Sequence, residues 1–182
     1  ALVNRMPEFC ISAALIERGA PVVAAILNPS TDELFTAVRG GGLFLNGARV
    51  SLSLPHEFDP VIMVNAWEFR SDRWSTLAET TRCRPMYSIA NALALVAAGR
   101  VQAAFTSEPE NEWDLAAGVL LIQESCGAIS DAAGKPFVFN QPTPRFRGVI
   151  AVAATADKDL RANLQTHAEH ARSQPERKRA AP

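Results

Sequence analysis

The sequence predicts an α/β domain in which an antiparallel β-meander comes first and strands then alternate with helices. Short apolar segments of strand length, separated by turn residues, occupy the first 50 positions. Further along the chain, longer apolar segments with helical spacing alternate with short strand-like segments. One predicted helix is apolar along most of its length and follows directly on an acidic, polar stretch. Together these segments predict a layered α/β domain.

The predicted meander has its strands at residues 9–15, 21–27, 33–38 and 43–45. Turn residues separate them, including Asn28-Pro29, the glycines at 40–42 and Asn46-Gly47. The three consecutive glycines are not followed by the Lys-Ser/Thr pair of a phosphate-binding loop. We therefore expect them to be turn residues with positive φ angles.

The rest of the chain predicts four more strands and four helices. The strands are at residues 61–65, 101–105, 128–130 and 148–153, and three helices are at 71–80, 88–98 and 156–171. The remaining helix begins after Asn111, a good N-cap residue, and is expected to end with Gly127 at the C′ position. Residues 1–170 are predicted to form the folded part, and residues 171–182 a polar, disordered tail.

Asp114 lies in the first turn of the helix that begins after Asn111. A carboxylate there has two interpretations. It complements the positive end of the helix dipole, which stabilises a helix by about 0.3–1 kcal/mol. Alternatively, it directs a hard oxygen ligand into a cleft, as a Mg²⁺ site requires.

Ser88 lies where the helix at 88–98 begins, and it too has two interpretations. It is a good N-cap residue, which needs no ligand. Its hydroxyl and the free backbone N–H groups of the first turn also form a natural anion site.

The composition excludes several classes of protein. The 182 residues are 48% hydrophobic with a formal net charge of −1, which suits one globular domain and gives no electrostatic case for binding nucleic acid or a membrane surface. The three cysteines have no CxxC spacing, so we expect reduced, buried thiols in a cytoplasmic protein. The three histidines, His56, His167 and His170, are too scattered to predict a zinc site.

Several separate motifs resemble the inositol monophosphatase family. Trp113 and Asp114, the small residues at 116–118, and then Glu124 and Gly127 resemble its C-terminal signature. Residues 19–47, with their Asn-Pro, Asp-Glu-Leu and glycine spacing, resemble its central block. The opening at residues 4–17 is similar to one branch, the bisphosphate nucleotidases, which remove the 3′-phosphate from 3′-phosphoadenosine 5′-phosphate. The resemblance implies a layered, sugar-phosphatase-like fold and a Mg²⁺-dependent phosphomonoesterase.

The resemblance also implies roles for individual residues. Asp114 corresponds to a metal ligand and catalytic residue that also contacts the substrate, and Ser88 to a residue that lines the substrate pocket. The small residues after Asp114 let their helix pack closely on its neighbours. This chain departs from the family next to Ser88, where Tyr87 replaces a Gly and Ala92 replaces a frequent Lys. The implied partners are a small phosphorylated substrate and, as a homodimer, a second copy of the chain.

The family's other metal ligands have no counterpart in this sequence. They are an upstream Glu and an Asp-Pro-x-Asp-Gly-Thr segment that would align just before Ala1. The chain is therefore expected to be the C-terminal part of a phosphatase, with residues 9–15 on an open, association-prone sheet edge. Glu108 and Glu110 are expected at the rim of the site and not as ligands. The alternatives are a catalytically incomplete relic or interaction module, and an anion-binding module without turnover.

Overall fold

The computed structural model describes residues 6–51, 61–70 and 82–173. Within these ranges, ten strands form two five-stranded sheets and four helices pack between and beside them. The predicted α/β fold class, with its meander followed by alternating strands and helices, is confirmed. The predicted helix at 71–80 and most of the predicted tail lie outside the described residues.

The first sheet is the predicted meander, with its strands in chain order and all neighbours antiparallel. It consists of β1 (Ile11–Glu17), β2 (Ala20–Asn28), β3 (Glu33–Val38), β4 (Gly42–Leu45) and β5 (Ala48–Arg49). Of the three consecutive glycines, Gly40 and Gly42 have positive φ angles, as expected, whereas Gly41 does not. Strand β5 was not predicted, because two residues are too short to show a strand period.

The second sheet has the order β7-β6-β8-β10-β9. Its strands are β6 (Val61–Asn65), β7 (Arg82–Met86), β8 (Ala103–Asn111), β9 (Ala128–Ser130) and β10 (Arg145–Val152). Strand β6 runs parallel to both β7 and β8, whereas β10 is antiparallel to β8 and to β9. The carboxyl ends of β6, β7 and β8 therefore lie at the same edge of this sheet.

The helices are α1 (Ala66–Phe69), α2 (Ile89–Ala97), α3 (Glu112–Glu124) and α4 (Leu160–Ser173). Helices α2 and α3 fill the space between the two sheets, where Phe35 of β3, Leu93 of α2, Leu120 of α3 and Met63 of β6 belong to one core. A second core lies on the other side of the second sheet, under α4. Helix α3 is apolar on all sides because it is buried between layers.

The structure changes the bounds of several predicted elements. Strand β8 continues to Asn111, since its polar half pairs with β10, whereas the prediction ended it at residue 105. Strand β7 was not predicted because it contains Pro85, but it is an edge strand, where proline is tolerated. Helix α4 begins at Leu160 and not at residue 156.

The predicted C-terminal stop of α3 is wrong by one residue. The residue in the left-handed conformation is Cys126, with φ of 61°, and not Gly127. The Cys126 N–H donates to the Gln123 carbonyl at 3.1 Å and the Gly127 N–H to the Ile122 carbonyl at 2.9 Å, which is a Schellman motif. Glycine is needed at 127 for a different reason, because a Cβ there would lie 2.8 Å from the Val152 carbonyl oxygen.

The outer face of the first sheet is apolar and exposed. Leu15, Val23 and Val38 are directly opposite one another on three neighbouring strands and are 61%, 41% and 57% exposed. Ile11 and Leu34 form a second exposed row with the half-buried Leu27. Within the described residues β1 pairs only with β2, so it is an edge strand, as predicted.

The cysteines differ from the expectation of buried thiols. Cys126 is exposed, because it lies in the turn after α3, and Cys10 and Cys83 are half-buried. Burial raises the pKa of the Cys10 and Cys83 thiols. Among the helices that the structure describes, none is long and apolar enough to cross a membrane.

Candidate functional site

A cavity of about 580 Å³ lies at the edge of the second sheet where β6, β7 and β8 end. Each strand delivers side chains to it: β6 ends at Asn65, β7 leads into Ser88, and β8 leads into Asp114. The segment before β1 supplies the opposite wall, with Glu8 among its residues. In α/β proteins, ligands bind at such carboxyl ends of parallel strands.

Asp114 lines this cavity from the first turn of α3. Asn111 occupies the N-cap position, as predicted, but its side chain does not cap the helix. Its amide Nδ2 instead donates a hydrogen bond to Asp114 Oδ2 at 3.2 Å. Asn111 therefore orients the carboxylate. Asp114 lies both at a helix start and in a cavity, and its role as a metal ligand stays a prediction.

Ser88 lines the same cavity, so the structure brings together the two site residues identified in the sequence. Its Oγ accepts a hydrogen bond from the Asn91 N–H at 3.3 Å, which confirms that it caps α2. Cys10 Sγ lies 3.6 Å from the same Oγ. Either of these two atoms can be the donor in that contact.

Two buried amides hold the start of α2 against the first sheet. Asn28 Nδ2 donates to Asn91 Oδ1 at 3.1 Å and to the Pro7 carbonyl at 2.9 Å. Both asparagines are less than 5% exposed, at 3% and 4%. This network fixes the N-terminal end of α2 relative to the segment that carries Glu8.

Glu8 is a site residue that the sequence did not single out. Its carboxylate is buried, with one oxygen 2.7 Å from Arg84 Nη1, and its other oxygen accepts the Tyr87 N–H at 3.2 Å. The only signal in the sequence is its place within the opening that resembles the nucleotidase branch. The contact with Arg84 joins residues too far apart in the sequence to be inferred from spacing.

Glu110 also lines the cavity, in the polar half of β8. Burial, followed by the negative charges of Asp114, Glu68 and Glu108, raises the pKa of Glu110 to about 7, although Arg145 opposes this shift. Glu110 therefore contributes to the cavity wall itself, and the prediction that it is not a metal ligand stays a prediction.

Glu68 is buried beside this group, 2% exposed. Its carboxylate accepts the Ser107 N–H at 2.9 Å and also contacts the Ser107 hydroxyl. Burial raises the pKa of Glu68, and the bonds from Ser107 oppose this shift. Glu68 thus anchors α1 to the middle of β8, next to the strand segment that carries Glu110.

The described lining residues fit part of a Mg²⁺ site. They include the carboxylates of Glu8, Glu110 and Asp114 and no Lys, Arg or His. Carboxylate oxygens are the ligands that Mg²⁺ prefers, and a cation in an acidic cavity offsets the repulsion between its carboxylates and a phosphate ester. However, within residues 6–51, 61–70 and 82–173 no three His, Cys, Asp or Glu residues are grouped to hold a metal ion.

Comparison with known proteins identifies the class. The pattern that defines the Inositol monophosphatase family matches residues 3–175. The chain therefore belongs to the inositol monophosphatase family, and the resemblance noted in the sequence is confirmed.

Individual relatives make the comparison more specific. The chain is 41% identical over 146 residues to the inositol-1-monophosphatase of Rhizobium meliloti, a match covering 72% of this chain and 53% of that protein. It is 36% identical over 141 residues to the Nus factor SuhB of Escherichia coli K12, covering 72% and 52%. The chain thus spans about half the length of the curated relatives it matches.

Solved structures share the fold. The extragenic suppressor protein suhB from Bartonella henselae superposes with a TM-score of 0.73 at 30% identity, covering 92% of this chain and 67% of that one. The Thermotoga maritima IMPase superposes with a TM-score of 0.74 at 26% identity, covering 92% and 63%. An inositol monophosphate-bound SaIMPase-II, with a TM-score of 0.76 at 18% identity over 94% of this chain and 66% of that one, shows the likeness of fold alone.

Proposed function

We propose that this chain is part of a Mg²⁺-dependent phosphomonoesterase that hydrolyses a small phosphate ester, either 3′-phosphoadenosine 5′-phosphate or inositol monophosphate. One observation carries the proposal. The Asp114 carboxylate and the Ser88 hydroxyl, at the starts of two neighbouring helices, line one acidic cavity. Membership of the inositol monophosphatase family supports a phosphatase.

Asp114 would hold a Mg²⁺ ion in the cavity, with Asn111 orienting its carboxylate. When bound, Mg²⁺ would neutralise phosphoryl charge and lower the pKa of a bound water, so that this water could act as the nucleophile. Ser88 donates its hydroxyl hydrogen to a phosphoryl oxygen, and the N–H groups of the first turn of α2 face the same anion. The water oxygen would form the new P–O bond as the ester P–O bond breaks, and the leaving alkoxide would take up the proton that the water gives up.

The test is phosphate release, with and without Mg²⁺, from inositol 1-phosphate and from 3′-phosphoadenosine 5′-phosphate. It is run on the 182-residue chain and on the longest reading frame that contains it, because the match covers only 53% of the Rhizobium meliloti relative. We expect Mg²⁺-dependent release that Asp114→Asn abolishes without loss of the fold. Asp159→Asn is the matched control, since it makes the same change at an exposed residue just before α4. Full activity in Asp114→Asn would refute the role of this carboxylate.

A second candidate is an anion-binding or interaction module without turnover. It is favoured by the single finding that the described residues do not include three grouped metal-ligand side chains. This candidate predicts that inorganic phosphate binds at Ser88 with the same affinity with and without Mg²⁺, and that no ester is cleaved.

We further propose that the protein associates as a homodimer. The support is the exposed apolar outer face of the first sheet, where Leu15 and Val38 are 61% and 57% exposed. Monomers rarely leave large apolar patches in contact with water.

A further inference from the structure

Tyr87 lies directly before Ser88, at a position where the resemblance noted in the sequence implies a glycine in the family. Tyr87 is among the residues that line the cavity, and it is 38% exposed. Within the described residues, its ring has no aromatic partner and its hydroxyl has no hydrogen-bond partner. Trp113, 62% exposed, lines the same cavity from α3. The lining of the acidic cavity therefore also includes two partly exposed aromatic residues.

The backbone of Tyr87 is fixed from both sides. Its N–H donates to the buried Glu8 carboxylate at 3.2 Å, and Arg84 holds that carboxylate in place at 2.7 Å. The next residue, Ser88, is fixed as the N-cap of α2. An aromatic side chain with two rotatable bonds on a fixed backbone loses little entropy when it binds a ligand.

We propose that Tyr87 is a specificity-determining residue, whose ring stacks on a flat ring in the alcohol part of the phosphate ester. The inference rests on the proposed function and selects between its two substrates. A nucleobase presents a π-face to an aromatic side chain, whereas a saturated cyclitol presents hydroxyl groups and C–H bonds. The cavity, at about 580 Å³, lies within the range of small-molecule sites. The preferred substrate is therefore a nucleotide.

The first test measures binding without turnover. Equilibrium dissociation constants for adenosine 5′-phosphate and ribose 5-phosphate are compared in the presence of Mg²⁺, since the two ligands differ by the base. We expect Tyr87→Leu to weaken adenosine 5′-phosphate roughly tenfold, as the loss of one stacked base does, and to leave ribose 5-phosphate unchanged. Tyr87→Phe keeps the ring and should bind within about twofold of the original. Trp67→Leu is the matched control, an aromatic that is 46% exposed but outside the cavity lining.

The second test measures turnover on both esters. The ratio of kcat/KM for 3′-phosphoadenosine 5′-phosphate to that for inositol 1-phosphate should fall roughly tenfold in Tyr87→Leu, mainly through KM. Glu8→Gln should lower the same ratio when Tyr87 is present and lower it less in the Tyr87→Leu background, because the Glu8 carboxylate accepts the Tyr87 N–H.

The outcomes separate the two proposals. Equal weakening of both ligands in Tyr87→Leu, or no weakening of either, would overturn the stacking role. If Tyr87→Leu releases phosphate from both esters and its ratio of kcat/KM values equals that of the original chain, the stacking role is overturned as well. The proposed function would then still stand. Absence of release from either ester would refute the proposed function, and the binding measurement would then decide on Tyr87 alone.

Discussion

Replacing Gly118 by alanine tests the contact that sets the distance between the two helices of the site. A Cβ at Gly118 of α3 would lie 2.5 Å from Cδ1 and 2.6 Å from Cβ of Leu93 on α2. Gly118 lies about one turn after Asp114, and Leu93 lies on the helix that Ser88 caps. The close approach of α2 and α3 therefore depends on the absence of a side chain at 118.

Two opposing terms set the size of the effect. An extra methyl group in a packed core costs about 1–3 kcal/mol. Alanine in place of glycine in a helix gains about 1 kcal/mol. Since one of the two short contacts is to Cβ of Leu93, which moves only with its backbone, the upper part of the packing cost applies. We expect a net loss of about 1–2 kcal/mol in the free energy of unfolding, or about 2–8 °C in Tm.

The assay is chemical denaturation of the Gly118→Ala chain, followed by circular dichroism. Gln123→Ala is the control, because it changes an exposed residue of the same helix and should alter stability by less than about 0.5 kcal/mol. Adding Leu93→Ala to Gly118→Ala should cost less than the sum of the single changes, since the two residues touch. A Gly118→Ala chain at least as stable as the original would refute the reasoning, because it would show that the helices have room to separate.

Three further predictions follow from the described contacts. Glu110→Gln should stabilise the metal-free chain by about 1–2 kcal/mol at pH 8, a figure discounted for partial exposure, and should not stabilise it at pH 4. The reason is that the folded-state pKa of Glu110, about 7, exceeds its ordinary value of 4.5, so that the original chain loses stability as the pH rises from 4.5 to 7. A stability difference independent of pH in denaturation curves would contradict this. Glu124→Gln should cost about 1–2 kcal/mol in the same assay, since the Glu124 carboxylate accepts the N–H groups of Gly40 and Gly42, each at 2.8 Å, and an amide has one acceptor for them. The chain should self-associate in sedimentation velocity, and Leu15→Lys should reduce this, because Leu15 is 61% exposed on the edge strand; a monodisperse monomer before the substitution would argue against an exposed interface.

The fold was predictable where the local signal was strong. The strand at residues 33–38 and the helix capped by Ser88 have the bounds that their spacing and caps indicated, to within one residue. The polar half of β8 was not predicted, because an acidic segment has little strand propensity and its pairing with β10 is a tertiary contact. Cys126 took the left-handed position expected of Gly127, because close packing against Val152 and Ile122 requires the glycine one residue later.

The residues of the candidate site also differ in whether a local signal in the sequence could identify them. Helix starts select a few residue types, which located Asp114 and Ser88, and the resemblance to the family then implied their chemical roles. An ion pair with Arg84 holds Glu8 in the site, and the alignment of three strand ends places Glu110 there. Both are contacts between distant parts of the chain, which no periodicity or spacing in the sequence reveals. Tyr87 stands between these cases: the resemblance to the family marked it as a replacement of glycine, and only the structure places it in the cavity lining. The proposed role of Tyr87 in specificity therefore depends on its contact with Glu8, because that buried carboxylate fixes the Tyr87 backbone beside the helix cap.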